Sequence, residues 1–464
     1  MDVAKTRIAL IRLDSDPDKL KESLPRHIEL PLDLEYIRIQ LQEFSHIETS
    51  LIDQFKRPQK VTDLFNELIH AKISIVVLKG QSFCKEETLT LGRLLRSAGV
   101  TTIVTGQLVA HHLNDTISCW KESFDIALYG EPELEVPSLI GKILSFPLDI
   151  IKSEYEGYLK TRKPFLIEQP DKLPLLSQGH SHLQDYIFPY PFAKGLSQRF
   201  GYILTAWGCP YTCHHCTDIV RKTVSTKYRK RSPSHIADEI QGYLEKGYDS
   251  ISFEDDTLFC DKNHLKALIK ECLERELHFK WVAFGRPDEI TEELASSMRQ
   301  VGPGIVRLGV ESGSPRIIES LNKAKRGEVW VKKVREAHRI LKNHDIDQAA
   351  LIMIGSPGET EEDIAATHTL MKEINPTYLM VHIFEAYPEV GFNKGKPLLG
   401  KSLSKERLIK IQKEINSNFY FRVPYLWSHL RQYWRYYLSF SSLSRAFKIF
   451  KSLLSSQNPK DQYL

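Results

Sequence analysis

From residue 7 to about 145, short apolar runs alternate with stretches of helical periodicity. The runs Arg7–Leu13, Ile47–Ile52, Ile73–Leu78, Thr101–Val104 and Phe124–Tyr129 read as strands, the last closing at Gly130. Leu34–Phe44, with Leu34, Ile37 and Leu41 on one face, reads as a helix, as do Val61–Ala71, Glu87–Ala98 and Val136–Leu144. This alternation predicts an α/β domain over residues 1–145, a doubly wound parallel sheet with helices on both faces. Such sheets bind ligands at the carboxyl ends of their strands, which here carry Asp14, Lys79-Gly80, Gly106-Gln107 and Gly130-Glu131.

Residues 146–198 hold Pro147, Pro164, Pro170, Pro174, Pro189 and Pro191 and little periodicity, and read as a connection. Alternation returns over residues 199–395. Tyr202–Ala206, Ser250–Phe253, Phe279–Ala283, Ile305–Val310, Ala349–Ile354 and Tyr378–Phe384 are strand-like. Between them Pro233–Lys246, Lys262–Arg275, Glu292–Val301, Pro315–Leu321, Val329–Lys342 and Glu361–Glu373 are helical. Six such units suit a partial or full (β/α) barrel, whose functional site lies at the strand C-terminal ends. Residues 396–464 read as a helical C-terminal region.

Composition narrows the classes. Lys+Arg 63 against Asp+Glu 59 gives +4 over 464 residues, too little excess for a generally basic nucleic-acid binder, so no nucleic-acid partner is expected. Seven cysteines, an odd number with three inside eight residues, are not a disulfide framework. No apolar run reaches the roughly 18 residues that span a bilayer. Met1–Lys5 leads straight into the strand-like Ile8–Ile11 without a signal-peptide pattern, so a reducing cytoplasmic setting is expected.

The strongest chemical signal is Cys209-Pro-Tyr-Thr-Cys213-His-His-Cys216, which follows a strand and the turn residue Gly208. Three thiolates on one short loop can bind three irons of a cubic four-iron cluster and leave the fourth open. Structural zinc, completed by His214, His215 or Asp218, and unligated cysteines are the competing readings; Cys260 and Cys272, twelve apart, supply no second pair. Downstream, each strand end carries polar or glycine-rich sequence: Ile251-Ser-Phe-Glu254-Asp255-Asp256, Phe284-Gly-Arg286-Pro-Asp288, Leu308-Gly-Val-Glu311-Ser312-Gly313-Ser314 and Ile352-Met-Ile-Gly355-Ser-Pro-Gly358-Glu359-Thr360. Taken singly, Asp255 or Asp256 suits a helix N-cap, Arg286 a surface salt bridge, and Glu359–Asp363 an acidic helix start. Ser232 and Pro233 suit a cap and first helical position, and the preceding Arg229-Lys230-Arg231 reads as a solvated charged face, with binding of an acidic substrate as the alternative.

The cysteine spacing and the ordered strand-end set resemble the radical S-adenosylmethionine (SAM) superfamily. The resemblance implies a 4Fe-4S cluster on Cys209, Cys213 and Cys216, with SAM chelated at the open iron. It places His215, where the family usually has an aromatic residue, near the adenine. Asp255 (alternates Glu254 and Asp256) then meets the SAM amino group, Arg286 the carboxylate, Glu311 and Ser312 the ribose, and Gly355 the adenine. Reductive cleavage of SAM to a 5′-deoxyadenosyl radical is implied, with an external electron donor such as flavodoxin or ferredoxin and a small-molecule substrate of unknown class. His382, Glu385, Tyr387 and Glu389, about the sixth strand's end, are candidates for the substrate side, with His382 reading equally as a core histidine.

Leu30–Tyr36 and Phe124–Glu133 resemble the first helix and final strand of the cobalamin-binding domain that precedes many radical SAM domains. That likeness implies cobalamin and methyl transfer to an unactivated carbon, with cobalamin-free radical cyclisation or rearrangement as the alternative within the class. No Asp-x-His-x-x-Gly lower-ligand motif is present, His27 lies outside any such context, and the usual paired glycines appear as Gly106-Gln107. A zinc-stabilised, non-catalytic binding protein is the alternative from another class. Asn418–Pro424 resembles the helical C-terminal region of the same subfamily. Beyond it Leu443, Phe447, Phe450 and Leu454 share a helix face beside Arg445, Lys448 and Lys451. That face suits peripheral contact with an anionic membrane, or packing on its own domain.

Overall fold

The computed structural model describes residues 5–14, 30–111, 117–179, 186, 200–216, 227–384 and 403–435. Five strands form the first sheet: β1 (Thr6–Arg12), β2 (Ile47–Asp53), β3 (Ile75–Lys79), β4 (Thr101–Thr105) and β5 (Ile126–Ala127). They run parallel in the order β2-β1-β3-β4-β5, the doubly wound arrangement whose direction reverses between β1 and β3. Helices α1 (Leu32–Leu41), α2 (Val61–His70), α3 (Lys85–Ser97), α4 (Gln107–His111), α5 (Ile117–Ser123), α6 (Pro132–Ser145) and α7 (Leu148–Thr161) cover it. Successive strand residues point to opposite faces. Ala9, Ile11, Val76 and Leu78 therefore pack with Leu64 and Leu68 of α2 and Leu91 and Leu95 of α3. Ile8, Leu10, Val77 and Ile103 pack with Leu34 and Ile37 of α1 and Leu139 and Ile140 of α6.

Two expectations change here. The fifth strand contracts to two residues, because Phe124 closes the turn after α5 and Leu128 makes the last ladder bond to Val104 O at 2.8 Å. The stretch read as non-periodic contains the 14-residue α7, which starts beside Pro147, buries only Ile151 and Tyr155, and stops at Arg162 with φ 51°. Two buried positions one turn apart leave almost no periodic signal.

The second region contains β6 (Phe200–Ile203), the short antiparallel pair β7 (Ala206–Trp207) and β8 (Arg229–Lys230), then β9 (Ser250–Phe253), β10 (Lys280–Gly285), β11 (Gly304–Glu311), β12 (Asp347–Ile354) and β13 (Tyr378–Ile383). Six of these form one parallel sheet in the order β6-β9-β10-β11-β12-β13. Each strand pairs with the next in sequence, and among the described residues β6 and β13 remain edges. The barrel is therefore partial. Its connections are α8 (Pro233–Glu245), α9 (Lys262–Glu274), α10 (Glu292–Val301), α11 (Pro315–Ser320), α12 (Gly327–Asn343) and α13 (Glu361–Ile374). Side chains of Ser232, Asp261, Thr291 and Thr360 cap α8, α9, α10 and α13, so each helix begins where a side-chain oxygen can take an orphan amide.

α14 (Lys405–Tyr420) and α15 (Val423–Tyr433) close the described chain. α15 docks on the amino-terminal side of the barrel, with Tyr433 Oη donating to Asp347 Oδ2 at 2.7 Å and Tyr425 Oη to the Thr377 carbonyl at 2.9 Å. Among the described residues no helix is long and apolar enough to cross a membrane. The basic apolar stripe at 443–454 lies outside the described residues, as do His27, Asp218, Glu385, Tyr387 and Glu389. The two sheets meet through α1, whose Leu32, Tyr36 and Ile39 belong to the same core as Tyr202, Ile203 and Trp207.

Candidate functional site

The strands of the barrel deliver one constellation at their C-terminal ends. Gly208, with φ 89°, turns the chain from β7 into the cysteine loop. Cys209 is buried, Cys213 and Cys216 are half-buried, and all three are free thiols. The end of α11 holds this loop: His214 N donates to Leu321 O at 2.8 Å, and Asn322 Nδ2 donates to Thr212 O at 2.8 Å. Among the described residues no three His, Cys, Asp or Glu side chains converge as a single-ion cage would need. Three cysteine thiols on one loop are a donor set that suits a cubic cluster.

Arg286, at the end of β10, is 6% exposed, so it is no surface salt bridge. Its Nη1 donates to Cys213 Sγ at 3.4 Å, Nε and Nη2 bind Asp288 at 3.0 Å each, and Nη2 also reaches Lys323 O at 2.8 Å. The guanidinium lies 3.7 Å from the Tyr211 ring centroid, a cation–π contact within the cysteine loop. The arginine is thus tied to the loop.

Asp255 is buried at the end of β9 and accepts from Thr205 N at 3.1 and 3.2 Å and from Thr205 Oγ1 at 2.7 Å. It caps no helix, since α9 starts at Lys262 with Asp261 as cap. Glu254 and Asp256 beside it are half-buried.

Glu311 ends β11 at φ 64°, just past a register shift between Gly309 and Glu311. A left-handed conformation is strained for any residue with a side chain, and such strain gathers at functional positions. Glu311 Oε1 accepts from Lys323 Nζ at 2.9 Å and lies 3.4 Å from His215 Nε2. Burial opposes its charge, but Lys323 and His215 outweigh that and hold the carboxyl well below its usual range. His215 of the cysteine loop and Glu311 are thus brought together. Lys323, 8% exposed, is the member the sequence did not show.

Ser312 lies beside Glu311. It is wholly buried, with its hydroxyl 3.1 Å from Thr367 Oγ1 and accepting from Ser314 N at 3.1 Å, which makes it a brace of the loop. Gly355 has φ 83°, and a Cβ there would meet Leu408 at 2.6 Å. Its amide and that of Ser356 donate to Glu359 Oε2 at 2.6 and 3.0 Å. Glu359 is therefore a buried turn residue, and burial pushes its carboxyl up to about 7; the acidic helix start proper is Thr360 with Asp363. The basic run also departs: Arg229 and Arg231 are 4% and 1% exposed, paired with Glu131 and Glu239, and of the three only Lys230 is solvated.

On β10 to β13 the half-exposed residues near the carboxyl ends share one face: Phe284, Gly309, Glu311, Leu351, Met353, Met380 and His382. Arg307 shares that face, with its guanidinium 4.7 Å from the Phe284 ring centroid. His382 therefore lies on this concave wall rather than in the core beneath the helices.

A cysteine loop after the first strand of a partial barrel, backed by a strained acid at the fourth, is an arrangement that suits an iron–sulfur cluster beside a hydroxyl-bearing ligand. Residues 203–371 match the radical SAM superfamily, so the chain carries a domain of that kind. The chain is 27% identical over 271 residues to an uncharacterized methyltransferase of Pyrococcus horikoshii, covering 57% of this chain and 56% of that one. It is 26% identical over 191 residues to the anaerobic magnesium-protoporphyrin IX monomethyl ester cyclase of Rubrivivax gelatinosus, covering 39% of this chain and 32% of that one. The chain thus spans about half the length of the first relative and a third of the second. Its fold resembles the radical SAM methyltransferase TsrM of Kitasatospora setae, solved with cobalamin and a [4Fe-4S] cluster, at TM-score 0.59 and 14% identity over 84% of this chain and 77% of that one. It also resembles the cobalamin-dependent radical enzyme OxsB, at TM-score 0.53 and 15% identity over 89% of this chain and 56% of that one.

Proposed function

We propose that this radical SAM enzyme methylates an unactivated carbon of a small molecule, using a 4Fe-4S cluster, SAM and cobalamin. The observation that carries the reading is the pairing of the cysteine loop with His215, Glu311 and Lys323 at the barrel mouth, behind a doubly wound first domain. When bound, the cluster would supply the electron that splits SAM, and cobalamin the methyl group. Cys209, Cys213 and Cys216 would hold the irons. Glu311, kept ionised by Lys323, is a strong acceptor for ribose hydroxyls. Arg286 holds the loop at Tyr211 and Cys213, and Asp255 holds Thr205 just before β7. The wall of Phe284, Leu351, Met353 and Met380 keeps water from a radical at the mouth.

Cobalamin is supported by the strand order and by the likeness in fold to TsrM and OxsB. The carboxyl edge of the first sheet also fits an amide-rich ligand. Thr105 Oγ1, at the end of β4, is buried without a partner among the described residues. Gly80 and Gly106 serve a different end: a Cβ on either would meet Leu108 or the Gly80 carbonyl at 2.9 Å, so they pack the chain on itself. A flavodoxin- or ferredoxin-like donor and a reducing cytoplasm complete the reading, which suits the free thiols.

The test is anaerobic purification from cells supplied with cobalamin, followed by iron, sulfide, zinc and cobalt analysis and product detection with SAM and reductant. About four iron and four sulfide per chain, with cobalt near one, are expected, and S-adenosylhomocysteine beside 5′-deoxyadenosine marks methylation. 5′-Deoxyadenosine alone, without cobalt, would move the assignment to radical cyclisation or rearrangement. Zinc without sulfide would refute radical chemistry.

A further inference from the structure

We propose that the turn Glu131-Pro132-Glu133 of the first domain is a clamp on the cysteine loop, and that Glu133 and Trp207 are positioning residues for the three thiols. The inference rests on reading those thiols as cluster ligands. In the chain the cysteines lie between β7 and β8, and these strands pair Ala206 with Lys230 and Trp207 with Arg229. The loop therefore springs from a two-residue ribbon too short to hold itself. One turn of the first domain holds both residues of its outer pair. Arg229 Nη1 and Nη2 donate to Glu131 Oε2 and Oε1 at 2.6 Å each, with side-chain exposures of 3% and 2%. Trp207 Nε1 donates to Glu133 Oε1 at 3.2 Å.

The turn itself is rigid. Gly130, at φ 128°, lies so close to Phe165 that a Cβ would be 2.4 Å from its carbonyl. Ile167 N donates to Glu131 Oε2 at 2.6 Å, and Gln40 Nε2 to Glu133 O at 2.7 Å. The Tyr36 ring packs 6.1 Å from that of Trp207. Only Gly208 separates Trp207 from Cys209, so a displaced indole displaces the first thiol. Glu133 is 5% exposed and its Oε2 has no partner among the described residues, and the indole is the side-chain donor to its carboxylate. Burial, with Glu131 and Asp33 nearby, pushes its carboxyl up to about 7. The turn also closes β5 at the carboxyl edge where the first sheet would bind its ligand. Occupancy of that edge would thereby be felt at the thiols.

The experiment compares full-length wild type with Trp207→Phe, Glu133→Leu and Glu133→Gln. Trp207→Phe keeps an aromatic ring beside Tyr36 and removes the N–H. Glu133→Leu removes the acceptor, and Glu133→Gln restores one. Amide hydrogen exchange is followed across residues 208–216 without iron, and the EPR spectrum of the dithionite-reduced, iron-loaded protein is recorded with and without SAM. Trp207→Phe and Glu133→Leu should raise exchange across 208–216 about tenfold and alter the spectrum, while Glu133→Gln stays near wild type. Wild-type exchange and spectra in Trp207→Phe would overturn the clamp, and that variant decides if Glu133→Leu fails to fold. A wild type that takes up no iron and sulfide refutes the cluster reading instead, and the exchange data then decide the clamp alone.

Discussion

Gly309 offers a probe of the Glu311–Lys323 pair that leaves the backbone alone. Its φ is not positive, so alanine is allowed there. A Cβ would stand 2.8 Å from Glu311 Oε1 and 3.0 Å from Lys323 Nζ, inside van der Waals contact with both. Each atom is the far end of a flexible side chain and can retreat, so the fold is spared. The bond between them is not, because the Cβ intrudes on the 2.9 Å contact from the side. Glu311 cannot follow by backbone adjustment, since its bulge and left-handed φ already fix it. A buried charge-assisted hydrogen bond is worth about 1.5–3 kcal/mol. Losing its alignment should weaken SAM binding by about 10- to 100-fold. Anaerobic equilibrium binding of SAM to iron-loaded Gly309→Ala measures this, and thermal unfolding should shift by no more than about 3 °C. Unchanged SAM affinity with an unchanged melt would refute the role of the pair. A collapse in stability would show instead that Gly309 serves packing.

Other outcomes follow from the same geometry. Alanine at Cys209, Cys213 or Cys216 should each abolish iron and sulfide retention, read by colorimetric analysis, while circular dichroism stays that of the wild type. Glu359 has a folded pKa of about 7, above the ordinary carboxyl value near 4.3, so the folded state holds its proton more tightly. Its stabilisation is whole below pH about 4 and is lost as pH rises to about 7; Glu359→Gln, which can still accept from Gly355 and Ser356, should gain on wild type across that window by about 2–3 kcal/mol in urea unfolding. Thr367→Val removes the acceptor of Gly313 N and the partner of Ser312, and should cost about 1–2 kcal/mol in the same assay, with SAM affinity falling only as far as the loop loosens.

The legible part of the chain was what local period and spacing encode. Parallel strands buried on both faces give short apolar runs, and helices with Ser, Thr or Asp caps announce their starts, so β9 to β13 and their helices stood out. The cysteine loop was legible because its spacing is itself the chemistry. What stayed hidden depends on partners distant in sequence. Lys323 is one lysine among many until the fold sets it on Glu311, twelve residues back. Arg229 and Arg231 look like a solvated run because their acids, Glu131 and Glu239, lie in other elements. The bracing of Ser312 by Thr367, 55 residues away, is equally out of view in the sequence. α7 hid because it buries just two residues.

Arg286 shows how far such partner-dependence reaches into the chemistry. Thiolates that bind iron add negative charge to a half-buried loop, and hydrogen bonds to their sulfurs help set cluster potential. Arg286 is the cation at hand, and its planar fork meets Asp288 twice, the Lys323 carbonyl once and Cys213 Sγ once. A lysine keeps the charge but has no fork, so it can serve the carboxylate or the sulfur and not all partners together. Arg286→Lys should therefore assemble its cluster and yet reduce at lower potential, because the donor that favours the more negative, reduced cluster is lost. A redox titration followed by EPR reads this directly. An unchanged potential in a fully loaded variant would mean that Arg286 only ties the loop to Asp288, and that the Cys213 contact has no electrostatic part in the reaction.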